Sequence, residues 1–116
     1  ESIDEFKAGS YIRYQGEKLA NRFNTYSYYL LTKAMDSHSV GRGRKSAESV
    51  LKSIIAKTLI IGISSDILCP VKEQEFLAKN IPGSRLVVID SPYGHDGFLI
   101  EFEQICMSIK NFFEKP

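Results

Sequence analysis

The chain has 116 residues, 43% hydrophobic and 25% charged, with a formal net charge of +1. That length supports one domain of modest core. The composition excludes a disordered polar chain, and the near-neutral charge excludes strong steering toward nucleic acid or an anionic membrane. Residues 1–56 carry nine Lys and Arg against six Asp and Glu, and residues 57–116 carry six against eight, an asymmetry too mild to imply a partner. The two cysteines, Cys69 and Cys106, lie far apart in no metal-ligand spacing and read as free thiols of a reducing compartment. No signal peptide and no apolar run near ~18 residues is present, so a cytoplasmic protein without a membrane span is expected. The opening "ESIDEFKAGSYIRY" reads as already inside a helix and has no initiator Met, which suggests a piece of a longer chain.

The first forty residues read as helix. Ile3, Phe6, Ile12, Leu19 and Phe23 recur between charged residues, and no proline occurs for over sixty positions. Asn24 is a candidate N-cap for a second helix with Tyr28, Leu31 and Met35 at helical spacing. Five tyrosines crowd this region (Tyr11, Tyr14, Tyr26, Tyr28, Tyr29), and ordinary packing, a partner chain or a missing domain could cover them. Residues 41–56 read as a linker: a turn at Gly41–Gly43, then a short helix capped by Ser46. Gly41-Arg42-Gly43-Arg44 lacks the strand–turn–helix setting of a phosphate loop and is not taken as one.

From Lys57 the pattern changes. "TLIIGIS" is a continuous apolar run rich in β-branched residues and bounded by turn residues, suited to a strand buried on both faces of a parallel sheet. "VKEQEFLAKNIPGS" follows as an amphipathic helix with Val71, Phe76 and Leu77 inward, ended at Pro82-Gly83. "RLVVID" is a second strand, and "DGFLIEFEQICMSIKNFFEK" a terminal helix with Phe98, Phe102, Ile105, Ile109 and Phe113 on one stripe. This β-α-β-α order implies an α/β fold with a right-handed crossover. Two strands make a poor sheet by themselves, so the edge of a larger one is expected.

Functional groups in open parallel sheets gather at the carboxyl ends of the strands. Two such loops occur here, "SSDILCP" with Asp66 and "DSPYGHD" with Asp90, His95 and Asp96. They share one rim, so Asp66 and His95 could meet within hydrogen-bond distance and form the acid–base half of a nucleophile–histidine–acid triad. Gly94 and Gly97 would let the backbone bend around the imidazole. Plainer readings stand beside this one: Asp66 as a helix cap or turn former, Asp90 as a turn former, His95 as an exposed loop residue. The order strand–Asp–helix–strand–His–helix is that of α/β-hydrolases. No G-x-S-x-G occurs in the 116 residues, and Ser64 and Ser65 lack the glycines of a nucleophile elbow. A His–Asp pair without a nucleophile forms no acyl-enzyme, so the chain by itself is expected to be inactive.

Two stretches carry a resemblance. "SYIRYQGEKLANRFNTYSYYLLTKAMD" and "LIIGISSDILCPVKEQEFLAKNIPGSRLVVIDSPYGHDGFLIE" resemble the C-terminal part of homoserine O-acetyltransferases, acyltransferases of the α/β-hydrolase fold. The resemblance implies lid helices over residues 1–40, a linker over 41–56, and the C-terminal β-α-β-α portion of the hydrolase core over 57–116. It implies Asp66 as triad acid, His95 as triad base, and Asp96 as the contact for the homoserine amino group. It further implies acetyl-CoA as co-substrate with no bound cofactor or metal, L-homoserine as acceptor, a role in methionine biosynthesis, and a homodimer through the lid helices. The nucleophile, oxyanion hole and carboxylate-binding residue would lie upstream of residue 1, and the "HSVGRGRKSAES" linker follows no family pattern. Relatives transferring succinyl groups, or acetylating serine, remain open. So does a non-catalytic module that dimerises through its tyrosine-rich helices.

Overall fold

A computed structural model describes residues 6–114. The chain divides into two compact units, Glu1–Ser39 and Val40–Pro116. Ile3 of the expected first helix and Lys115 of the expected last one lie outside the described residues.

The first unit is a helical pair, α1 (Lys7–Arg22) and α2 (Thr25–Asp36). The break falls at Phe23–Asn24, where extended backbone ends α1 and Asn24 caps α2 as its sequence predicts. Asn24 Oδ1 accepts hydrogen bonds from the amides of Tyr26 (2.9 Å) and Ser27 (3.4 Å), satisfying donors that a helix start leaves unpaired. Phe23 and Tyr28 pack edge to face across the turn, with ring centroids 6.0 Å apart. No described residue of this unit is buried, and all five of its tyrosines are exposed.

The second unit opens with a turn closed by the Arg44 amide on the Gly41 carbonyl (2.8 Å). Helix α3 (Ala47–Leu51) follows, with Ser46 Oγ accepting from the Ser49 amide (3.2 Å). Then come β1 (Leu59–Ile63), α4 (Val71–Asn80) and β2 (Arg85–Ile89). The strands pair in parallel, Leu59 opposite Arg85 through Ile63 opposite Ile89. After β2 a short 3₁₀ turn (Gly94–Asp96) leads into α5 (Gly97–Ile100) and α6 (Phe102–Glu114).

Strand side chains alternate between faces, and each face of this sheet meets helices. Leu51, Ile60 and Ile81 form a buried cluster, joined by Ile54, Leu77, Ala78 and Leu86, which seats α3 and α4 on one face. On the opposite face Ile63 and Ile89 are 4% and 2% exposed, with α5 and α6 behind them. Among the described residues the sheet has these two strands only, so the second edge of β1 carries no strand.

Two helix readings change. Phe76 does not point inward with Val71 and Leu77; it is exposed. Gln74 instead lies over Gly62 of β1. A step of two residues turns a helix by about 200°, so the face that carries Gln74 sends Phe76 outward. The terminal helix is not continuous either, because Glu101 (φ −85°, ψ 38°) breaks it into α5 and α6. In α6 the more protected residues are Ile105, Ser108 and Phe112, while Phe102, Ile109 and Phe113 of the expected stripe are exposed, as is Phe98 in α5. The break resets the helix phase, which periodicity alone does not show.

Candidate active site

The site is built where β1 and β2 end. Because the strands are parallel and adjacent, the loops that leave them emerge side by side on one rim. Ser64 and Ser65 stitch these loops together. Ser64 Oγ donates to Asp90 Oδ1 (2.7 Å) and accepts from the Ser91 amide (3.1 Å). Ser65 Oγ donates to the Ser91 carbonyl and accepts from the Gly94 amide (2.8 Å). Each hydroxyl thus uses both its donor and its acceptor capacity across the gap. Asp90 is therefore a partner across the rim, where its sequence setting suggested a local turn former.

Asp66 follows directly and is 8% exposed. Its two carboxylate oxygens do different work. Oδ1 accepts from the amides of Leu68 (2.8 Å) and Cys69 (2.9 Å), fixing the turn that leads to α4. Oδ2 lies 2.9 Å from Nδ1 of His95. The turn-forming reading of Asp66 holds on Oδ1, Oδ2 makes the approach to His95 that the spacing anticipates, and Asp66 is not the cap of α4. The Cys69 amide and then the His95 ring hold the Asp66 carboxyl below the usual carboxylate range. An ionised carboxylate only accepts hydrogen bonds, so Nδ1 carries the proton and Nε2 becomes the basic nitrogen of the neutral ring.

His95 sits in the 3₁₀ turn, its side chain 45% exposed against 6% for Asp66. Two glycines make that position possible for different reasons. Gly94 adopts φ +59°, a left-handed conformation that favours glycine. Gly97 is ordinary helix (φ −52°), but a Cβ there would stand 2.7 Å from Ile63 Cγ2 and 3.0 Å from Ser91 Oγ. Its role is close approach of α5 to β1, not the bend read from the sequence. Phe98, one turn on, packs edge to face on the imidazole with centroids 5.3 Å apart. Asp96 follows His95 and is exposed; among the described residues no hydrogen bond joins it to Asp66 or His95.

An open hollow of about 260 Å³ borders this pair, lined by Ile63, Asp66, Cys69, Gln74, His95 and Phe98 among others. Sequence reasoning missed Ser64 and Ser65 as loop ties, and Cys69 and Phe98 as neighbours of the pair. Two adjacent serines at the carboxyl end of a strand were the available signal for the ties. Cys69 and Cys106 are free thiols, as expected.

No protein-family model matches the chain. A homoserine O-acetyltransferase of Cyclobacterium marinum is 50% identical over 113 residues, covering 97% of this chain and 32% of that protein. The resemblance to homoserine O-acetyltransferases holds. A homoserine O-acetyltransferase of Chlorobaculum tepidum is 50% identical over 92% of this chain and 30% of its own length. One from Saccharomyces pastorianus is 49% identical over 92% of this chain and 22% of its own length. The chain thus spans a third or less of these homoserine O-acetyltransferases. No helix among the described residues is long and apolar enough to cross a membrane.

Proposed function

We propose that the protein carrying this chain transfers an acetyl group from acetyl-CoA to the hydroxyl of L-homoserine, a step of methionine biosynthesis in the cytoplasm, and that this chain supplies the acid–base half of its active site. The observation that carries the reading is the 2.9 Å contact between Asp66 Oδ2 and His95 Nδ1 on adjacent parallel-strand loops. The similarity to enzymes of that name over 97% of the chain supports it. In this reading residues 57–116 are the C-terminal part of an α/β-hydrolase core. Residues 1–40 are lid helices that also pair two protomers, and 41–56 are the linker. The unpaired edge of β1 suits a core that continues with further strands.

Chemically, Nε2 of His95 takes the proton of a serine hydroxyl supplied from elsewhere in the longer protein. The serine oxygen attacks the thioester carbonyl, and the imidazolium returns the proton to the departing CoA sulfur. In the second half the homoserine hydroxyl gives its proton to Nε2 and attacks the acetyl-serine, and the imidazolium passes that proton to the departing serine oxygen, releasing the acetyl ester and restoring both serine and neutral His95. Asp66 holds the ring tautomer and balances the imidazolium charge. Asp96, exposed beside His95, binds the substrate ammonium so that this hydroxyl, and not water, reaches the acyl carbon. No bound cofactor or metal is required. The 116 residues by themselves, lacking the nucleophile, are inactive.

The test is a donor and acceptor comparison with the full-length protein. Acetyl-CoA with homoserine is expected to give the highest kcat/KM. Preferred use of succinyl-CoA, or of serine as acceptor, would replace this assignment, and absence of any acyl transfer would favour a non-catalytic dimerisation module.

A further inference from the structure

We propose that Asp66, Cys69 and His95 form a binding site for a soft divalent cation of the Zn²⁺ class, and that occupancy of this site displaces the Asp66–His95 hydrogen bond. A carboxylate oxygen, the Cys69 sulfur and a ring nitrogen of His95 all lie within 4.8 Å of one another. Tetrahedral zinc with ligand bonds of 2.0–2.3 Å needs donors roughly 3.4–3.8 Å apart, so shifts of about an ångström close the site. Two of the three ligands are already tied together, since the Cys69 amide donates to Asp66 Oδ1. That bond leaves Oδ2 turned toward the ring. The third ligand can adjust, because the His95 side chain is 45% exposed. Cys69 is exposed as well, so a cation has a path from solvent and room for water as fourth ligand.

The donor set selects the metal. One nitrogen, one sulfur and one oxygen suit Zn²⁺, Co²⁺ or Cd²⁺, whereas Mg²⁺ and Ca²⁺ require oxygen ligands. Binding expels the thiol proton of Cys69 and the Nδ1 proton of His95 to solvent. Asp66 is already ionised. A cation seated between ring and carboxylate replaces the proton they share, so the ring loses the partner that fixes its tautomer. The consequence for catalysis rests on the acyl-transfer reading; the binding itself does not.

The sequence contains two histidines and two cysteines, so His38 and Cys106 serve as internal controls. The protein is titrated with Zn²⁺ alone by calorimetry and with Co²⁺ by absorption, beside Cys69→Ser, His95→Ala, Cys106→Ser and His38→Ala. The expected result is a thiolate-to-cobalt charge-transfer band that Cys69→Ser abolishes. Affinity should fall at least about tenfold in Cys69→Ser and His95→Ala and stay unchanged in the two controls. Both key side chains are exposed, so these variants fold. Unchanged affinity in Cys69→Ser, or a cobalt complex without the band, would overturn the site. In the full-length protein the same Zn²⁺ concentrations should suppress acetyl transfer, and a chelator should restore it. Binding without suppression would overturn the displacement while leaving the acyl-transfer reading intact.

Discussion

Asp66 and His95 are joined by a 2.9 Å contact between Oδ2 and Nδ1, although 29 residues separate them in the chain. The contact exists because two parallel strands end together, because Ser64 and Ser65 tie the loops that follow, and because the second carboxylate oxygen is anchored by two amides. A carboxylate oriented in this way can hold an imidazole in one tautomer.

Asp66→Asn separates that role from the turn. The amide keeps a carbonyl oxygen for the Leu68 and Cys69 amides but offers the ring a donor where Nδ1–H needs an acceptor. In the full-length protein kcat is expected to fall roughly 10²–10⁴-fold with little change in the folded state by circular dichroism. Turnover within a few-fold of the parent would contradict the role of Asp66.

The depressed Asp66 carboxyl has a defined pH signature. Its folded pKa lies below the unfolded value of about 3.9. The stabilisation is therefore fully present above the unfolded value and is lost as pH falls through the folded one. Denaturant unfolding of the parent and of Asp66→Asn should show a stability difference that is constant near neutrality and shrinks below about pH 4. A difference independent of pH through the acid range would show that the carboxyl is not held low.

The two glycines beside His95 should fail differently. Gly97→Ala places a methyl against the buried Ile63, whose branched side chain has little room to yield, and is expected to cost about 1–3 kcal/mol. Gly94→Ala meets open space on most sides but keeps φ at +59°, a backbone cost of about 1–2 kcal/mol. Denaturant midpoints measure both, and a neutral Gly97→Ala would refute the close approach of α5 to β1.

Much of this arrangement was legible in the residues because local signals agreed with the fold. The β-branched run at 59–63 announces a buried strand, Asn24 and Ser46 announce helix starts, and the Asp66–His95 spacing follows from one crossover between neighbouring parallel strands. What was not legible depends on three-dimensional phase. The break at Glu101 shifts which residues of α6 pack inward, and no residue type there marks it. Phe76 looks like a core residue by hydrophobicity, yet the helix phase that seats Gln74 over Gly62 sends it outward. Gly97 reads as a place where the backbone bends around the imidazole until the neighbouring Ile63 side chain is in place.

Loss of the loop ties should register at His95. Ser65→Ala removes the hydroxyl that accepts from the Gly94 amide and donates to the Ser91 carbonyl, at a cost of about 1 kcal/mol in stability. It should also broaden or shift the imidazole resonances of His95 in NMR spectra. An unchanged His95 spectrum would mean that the 3₁₀ turn holds its position without Ser65.

The most direct test is the rate of acetyl transfer from acetyl-CoA to homoserine by the full-length His95→Ala protein. The histidine is half exposed and lies in a surface turn, so the substitution leaves the fold intact. Removal of the base is expected to lower kcat by about 10³-fold or more. A His95→Ala protein with the parent rate would contradict the assignment of the Asp66–His95 pair as the acid–base machinery.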